Sequence, residues 1–246
     1  MLRENIIEIF SSIQGEGKYV GCRQVFVRFE GCNLDCRYCD TENTPRAHAL
    51  CQAETTAGSR RFETMKNPLT AEQVAAKVQA MLNEVPHQAV SFTGGEPLLH
   101  APFIREVADL LHGQTQIFLE TNGTLPEQLE SILDVTDIIS MDIKLPSILS
   151  HSCWDEHRRF LELAAEKDLY VKLVVSDETS RAEFEQAVQL LKETAPKALF
   201  IIQPVTPWGG VQAAAPEKIL VCQNYALSQL KDVRVIPQTH KMINQL

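Results

Sequence analysis

Val25-Phe26-Val27-Arg28-Phe29-Glu30-Gly31-Cys32-Asn33-Leu34-Asp35-Cys36-Arg37-Tyr38-Cys39 reads as a short apolar strand running into a loop that carries three cysteines within eight residues. Three thiolates on one short loop can hold three irons of a cubane [4Fe-4S] cluster and leave the fourth iron open to a small molecule with amine and carboxylate donors. Four thiolates would suit a plain electron carrier, whereas an open iron implies chemistry. Zinc knuckles show paired Cys-x2-Cys spacings with a second half nearby, which the Cys-x3-Cys-x2-Cys run lacks. A zinc site completed by a distant ligand and a chance grouping stay open as alternatives.

Working outward from that loop, apolar runs too short and too β-branched for helices recur at Val25–Glu30, Gln88–Phe92, Thr115–Glu120, Asp137–Asp142, Leu169–Val175 and Ala198–Gln203. Helical patterns fall between them at Thr70–Asn83, Ala101–His112, Pro126–Leu133, Asp155–Lys167 and Arg181–Thr194, the first opened by a Thr70-x-x-Gln73 capping box. A further helix at Glu217–Leu230 leads to a short strand at Asp232–Ile236. Strict alternation predicts right-handed βαβ units around a parallel sheet covered on both sides, doubly wound or closing as part of a barrel. One domain over residues 1–246 is expected, with no repeat or linker. About thirty residues, Glu42–Leu69, interrupt the alternation and read as a long polar loop: a lid, a docking surface or disorder.

The composition excludes several classes. With 246 residues and 44% hydrophobic content the chain can bury a large core. Seven cysteines, an odd number without a leader segment, speak against a secreted disulfide framework and for reduced thiols in a cytoplasmic enzyme. No segment approaches the ~18 uninterrupted apolar residues of a membrane span. A net charge of −9 argues against a general nucleic-acid binder, since phosphate recognition shows a basic surface. Cys22, Cys51, Cys153 and Cys222 have no ligand spacing and read as structural; His87, His100, His112, His151 and His157 read as surface or loop residues.

Polar signals fall where the predicted strands end: Thr93-Gly94-Gly95-Glu96-Pro97, Glu120-Thr121-Asn122-Gly123, Asp142-Ile143-Lys144, Ser176-Asp177 and Gln203-Pro204. Parallel α/β architectures bind ligands at that edge, beside the cysteine loop. Singly, each cluster has a bland reading, Gly94-Gly95 and Asn122-Gly123 being ordinary turn pairs.

The cysteine run with Tyr38 before its last member, followed by Gly94-Gly95-Glu96-Pro97, resembles the radical S-adenosylmethionine superfamily. The resemblance implies a partial (β/α)6-type parallel barrel with extra N- and C-terminal elements. It implies Cys32, Cys36 and Cys39 as ligands of a [4Fe-4S] cluster whose open iron chelates the methionine end of S-adenosylmethionine. Electron transfer would then release a 5′-deoxyadenosyl radical, which needs a closed site. Carried over by motif, Gly95 would offer backbone to the methionine amine and Tyr38 would lie beside the adenine. Ser140, Asp142 and Lys144 would contact ribose and carboxylate, with Ser176, Asp177 and Gln203 as further cofactor contacts.

Three more features, Ser12-Ile13-Gln14-Gly15-Glu16-Gly17, Cys39-Asp40-Thr41 and Pro237-Gln238-Thr239-His240-Lys241, are similar to the 7-carboxy-7-deazaguanine synthase family. That family contracts the ring of 6-carboxy-5,6,7,8-tetrahydropterin with loss of ammonia and uses Mg2+. By this resemblance Ile13, Gln14, Gly15 and Glu16 would meet the aminopyrimidine edge and Arg28 the substrate carboxylate. Thr93 would touch the substrate, Thr41 would hold Mg2+, and His240 with the terminal carboxylate of Leu246 would close over the pterin. Asp40 would orient the loop. A flavodoxin- or ferredoxin-type electron donor and a homodimer are the family expectations. Alternative readings are a glycyl-radical activating enzyme, which gives no reason for the first two features, and a non-catalytic iron-sulfur sensor, which needs no polar pocket.

Overall fold

The computed structural model of the chain describes residues 2–39 and 48–245. Its strands, in chain order, are β1 (Arg3–Glu4), β2 (Ile6–Ile13), β3 (Arg23–Phe29), β4 (Leu50–Glu54), β5 (Phe62–Lys66), β6 (Leu69–Thr70), β7 (Ala89–Gly94), β8 (Gln116–Thr121), β9 (Ile138–Ile143), β10 (Asp168–Val175), β11 (Leu199–Pro204) and β12 (Val233–Val235). The helices are α1 (Ala71–Glu84), α2 (Ala101–Leu110), α3 (Pro126–Ile132), α4 (Pro146–Leu149), α5 (Trp154–Ala164), α6 (Arg181–Thr194), α7 (Pro216–Gln229) and α8 (Thr239–Met242).

Among the described residues, ten strands form one mixed sheet in the order β12-β11-β10-β9-β8-β7-β3-β2-β4-β5. From β12 through β3 all neighbours pair in parallel, as the alternation predicts. The linear order leaves the sheet open, so the barrel is partial. Packed consecutively on its outer face run α1, α2, α3, α5, α6 and α7.

Each parallel strand alternates. Val171, Leu173 and Val175 of β10 face the helix layer and join the main core, while Tyr170 joins a separate inner cluster. Full burial of side chains such as Phe92, Phe103 or Phe160 stabilises the fold by about 1.5–3 kcal/mol each. The predicted capping box opens α1: the Thr70 side chain accepts the Gln73 N–H, and Gln73 accepts the Thr70 N–H at 2.9 Å. A second box, Ser180 with Glu183, opens α6.

Two parts of the fold depart from the sequence expectation. The first is β2, antiparallel to β3, which its run Ile6-Ile7-Glu8-Ile9-Phe10-Ser11-Ser12-Ile13 does not announce. The second lies within 42–69, where residues 50–66 are not a loop but a hairpin, β4 antiparallel to β5, added to the sheet beside β2. Its inner side is apolar enough to pack, since Cys51 and Ala53 are fully buried in the main core. Glu54 fixes the hairpin turn by accepting the N–H groups of Ser11 at 2.9 Å, Gly58 at 3.0 Å and Arg60 at 2.6 Å. Arg60, from that turn, donates to the Asn244 carbonyl at 2.8 Å.

Candidate active site

Strand alternation divides the inner face of the sheet into two levels. Towards the N-terminal ends Ala89, Phe118, Ile138, Tyr170 and Leu199 close an apolar plug. Two or more residues further along, the same face becomes polar. There Arg28, Thr93, Glu120, Asp142, Lys172 and Gln203 line a cavity of about 220 Å³. Parallel register brings them together, Arg28 standing opposite Thr93 and Asp142 opposite Lys172.

The loop after β3 places Cys32, Cys36 and Cys39 on the wall of this cavity, half-buried and not joined in disulfides. Gly31 turns the chain out of the strand at φ +87°. Gly95 presses so closely on it that a Cβ would lie 1.9 Å from the Gly31 carbonyl oxygen. Any side chain at position 95 would push the loop away. Burial pushes the Cys36 thiol up to about 11 and raises Cys32 as well. Metal loading therefore has to release protons. Three thiols on one short loop can each take their own iron of a cluster, which suits this loop.

The same cavity holds the other cofactor-side residues. Tyr38 packs against the apolar group Val174, Val205 and Val211. Lys144 Nζ stands 5.2 Å from the Tyr38 ring centroid and 2.8 Å from Asp142 Oδ2. Burial works against the Lys144 ammonium, but Asp142 outweighs it and holds the pKa well above its usual value. Asp142 Oδ1 and Gln203 Oε1 are buried acceptors without a partner, and Ser140 is 1% exposed beside them. Unanswered acceptors on a cavity wall fit a ligand with hydroxyl and ammonium donors, which S-adenosylmethionine has. Ser176 and Asp177 are not brought to this wall. Ser176 N–H is held by Thr179 Oγ1 at 3.0 Å and Asp177 N–H by the Gln212 carbonyl at 3.1 Å, both in the turn before α6.

A second cavity, about 560 Å³, adjoins the first and shares Glu16, Arg28, Thr93, Glu120, Gln238 and Lys241 with it. Ile13, Gln14, Gly15 and His240 line its other side, with the stacked rings of Phe10 and Phe26. Arg28 faces inward, on an interior strand, and its Nε meets Glu8 at 2.6 Å. Glu16 is bound by Lys172 and by Gln238 Nε2 at 2.7 Å. Burial opposes its charge, but Lys172 prevails and holds the carboxyl down to about 2. Gln14 has both ends of its amide committed: Oε1 accepts the Glu16 N–H at 3.0 Å, and Nε2 donates to Gln24 at 3.1 Å and Glu120 at 2.7 Å. It orients the turn and Glu120 rather than presenting a free amide. Thr93 donates to the other oxygen of Glu120 at 2.6 Å. Gly15 lets the C-terminal segment close in, since a Cβ there would lie 2.1 Å from the His240 ring. Thr239 N–H bonds the Gly15 carbonyl at 2.8 Å. Asp40, Thr41 and Leu246 lie outside the described residues.

Sequence reasoning missed four contributors. Lys172 sits in an apolar run, where it reads as a tolerated exception, yet it is 6% exposed and faces the cavity. Glu120 and Gln238 stand in motifs noted for other members. Glu96 is fully buried and points into the protein, accepting from Thr121 Oγ1 at 2.9 Å, Asn122 N–H at 2.8 Å and Leu98 N–H at 3.0 Å. Burial raises its carboxyl to about 7. His157, expected at the surface, is fully buried because α5 turns it under the Asn122 carbonyl.

Comparison with known proteins agrees with this geometry. Residues 26–191 match the model of the radical SAM superfamily. A 7-carboxy-7-deazaguanine synthase from Geobacter sulfurreducens is 41% identical over 97% of this chain and 96% of its own length. One from Methanocaldococcus jannaschii is 35% identical over 98% and 100%. The crystal structure of QueE from Escherichia coli shares the fold with a TM-score of 0.63 at 19% identity, covering 98% of this chain and 96% of that one. Cysteine loop, strand-end polar ring and full-length similarity together place the chain in the 7-carboxy-7-deazaguanine synthase family of the radical SAM superfamily.

Proposed function

We propose that the chain converts 6-carboxy-5,6,7,8-tetrahydropterin to 7-carboxy-7-deazaguanine with loss of ammonia, as a radical carbon-nitrogen lyase. Membership of the superfamily brings a [4Fe-4S] cluster and S-adenosylmethionine. When bound, they supply a 5′-deoxyadenosyl radical by one-electron cleavage of the sulfonium. The residues present fit both groups: three thiols on one wall, Lys144 for a carboxylate, and unanswered acceptors at Asp142 and Gln203.

One observation carries the substrate reading: the two cavities meet along Arg28, Thr93 and Glu120. A cofactor in the first is thereby set against a flat, carboxylated heterocycle in the second. Arg28, held through Nε by Glu8, keeps its planar fork for the substrate carboxylate. Glu16 and Glu120 offer acceptors to the aminopyrimidine edge, and the Phe10 and Phe26 rings form an apolar side wall. His240, lying on Gly15, closes the outer side and excludes water. Gly95 contributes its backbone to the methionine end of the cofactor. Mg2+ on Thr41, the Leu246 carboxylate over the pterin, a flavodoxin- or ferredoxin-type donor and a homodimer complete the reading by family resemblance.

Anaerobic turnover tests it, with reconstituted cluster, S-adenosylmethionine, Mg2+, dithionite and the tetrahydropterin, followed by mass spectrometry. The expected result is deazaguanine product with 5′-deoxyadenosine. Release of 5′-deoxyadenosine without product would overturn the pterin substrate and favour a protein substrate, as in glycyl-radical activating enzymes.

A further inference from the structure

Beside the cysteine loop, where Asn122 reaches the wall of the first cavity, lies a polar cluster that the cofactor and substrate contacts named above leave unused. At its centre is Asn122, 6% exposed, at the end of β8. Its Oδ1 accepts the Thr124 N–H at 3.0 Å and the Thr124 hydroxyl at 2.6 Å. A backbone N–H can only donate, so the amide has one orientation: oxygen towards Thr124, nitrogen towards the loop. Nδ2 donates there to Asn33 Oδ1 at 2.9 Å and reaches Cys32 Sγ at 3.9 Å. The Asn122 main chain is held from both sides, its N–H by Glu96 and its carbonyl by His157 Nε2 at 3.1 Å. Both of these holding side chains are fully buried, and His157 Nδ1 has no partner, an arrangement costly to maintain for packing alone. Cys32 Sγ also accepts the Leu34 N–H at 3.4 Å.

We propose that Asn122 is a positioning residue that raises the reduction potential of the cluster by donating a hydrogen bond to the Cys32 sulfur. A donor on a ligand sulfur stabilises the reduced, more negative cluster more than the oxidised one. The step affected takes up one electron from an external low-potential donor, with no bond broken and no proton moved. Glu96 and His157 act through Asn122 by fixing where its amide points. The inference rests on the reading of Cys32, Cys36 and Cys39 as cluster ligands.

Its test is a potentiometric titration of the reconstituted full chain without S-adenosylmethionine, followed by EPR of the reduced cluster. Asn122→Leu should make reduction about tenfold less favourable, a fall in midpoint of about 59 mV for one electron. Asn122→Asp, with a negative charge at the same place, should lower it further. An unmoved midpoint in variants with full iron content overturns the proposal. Pulsed EPR gives a second reading. With asparagine labelled at its side-chain nitrogen, the reduced cluster should show a weakly coupled nitrogen that is lost in Asn122→Asp and kept in Asn33→Ser, and a coupling that survives Asn122→Asp also overturns the proposal. Failure of the cluster reading looks different: no iron-sulfur signal at all from reconstituted wild type.

Discussion

The two sides of the mouth are built on opposite principles. On the cofactor side, buried acceptors at Asp142 and Gln203 stand unanswered, so the wall carries its polarity in advance of a ligand. On the substrate side, the polar groups are already matched within the chain: Glu16 with Lys172 and Gln238, Glu120 with Gln14 and Thr93, Arg28 with Glu8. An unanswered wall costs stability and gains from binding, whereas a matched wall is stable alone and must redistribute partners when substrate enters.

The largest test breaks the matched side. Lys172→Met leaves Glu16 charged and buried without its partner and should lower stability by about 3–5 kcal/mol in urea unfolding. Adding Glu16→Leu should recover much of that loss, and a double variant as unstable as the single would show that the pair is not the source.

The wall behind the cofactor side should reveal itself through pH. Burial lowers the His157 pKa from 6.5 to about 4. The folded state thus favours neutral imidazole; as pH falls from 6.5 through 4 the unfolded chain binds its proton first and the His157 contribution to stability drops by about 3 kcal/mol. Glu96, raised to about 7, works in the opposite sense over the neighbouring range, stabilising the fold as pH falls from 7 through 4.5. His157→Gln keeps a donor to Asn122 and leaves Glu96 in place. Its stability relative to wild type should therefore rise by about 3 kcal/mol as pH falls from 6.5 to 4, measured by denaturant unfolding of both proteins across that range.

Two smaller effects sharpen the contrast. Arg28→Ala should raise KM for the pterin about 10- to 100-fold, the loss of a charge-assisted pair of about 1.5–3 kcal/mol, while iron content stays at the wild-type level. Full turnover at unchanged KM would move the substrate carboxylate elsewhere. Gln203→Leu removes an unanswered acceptor, so the ligand-free protein should gain up to about 1 kcal/mol in thermal unfolding while S-adenosylmethionine binds about fivefold more weakly. A loss of stability would mean that the wall is matched after all.

These contrasts also explain what the sequence reveals. The parallel strands and the cysteine loop are local patterns, β-branched runs and close spacing, and need no knowledge of partners. Lys172 and Glu16 are 156 positions apart, and Gln238 meets Glu16 over 222, so their matching is invisible until the chain is folded. β4 and β5 are hidden for a different reason. Their outward residues Gln52, Glu63 and Lys66 make the stretch look like a solvated loop, while Cys51 and Ala53 supply too short an apolar signal to announce a strand. Ser176 and Asp177 show the converse: polar residues at a strand end whose amides are engaged in a turn and which do not line the first cavity.

Among the described residues the hairpin joins the rest of the sheet through two register pairs, Glu8 with Gln52 and Ile9 with Ala53, reinforced by the Glu54 carboxylate. Such an edge unit opens at a lower free energy than the global transition, so its amides should exchange with deuterium well before those of β8 or β9. Arg60 ties the hairpin turn to Asn244, close in sequence to the His240 that lines the second cavity. Exchange in Leu50–Glu54 and in Thr239–Met242 should therefore rise and fall together, and Arg60→Ala should uncouple the two, so that a sheet edge sets the tempo of that cavity's outer wall.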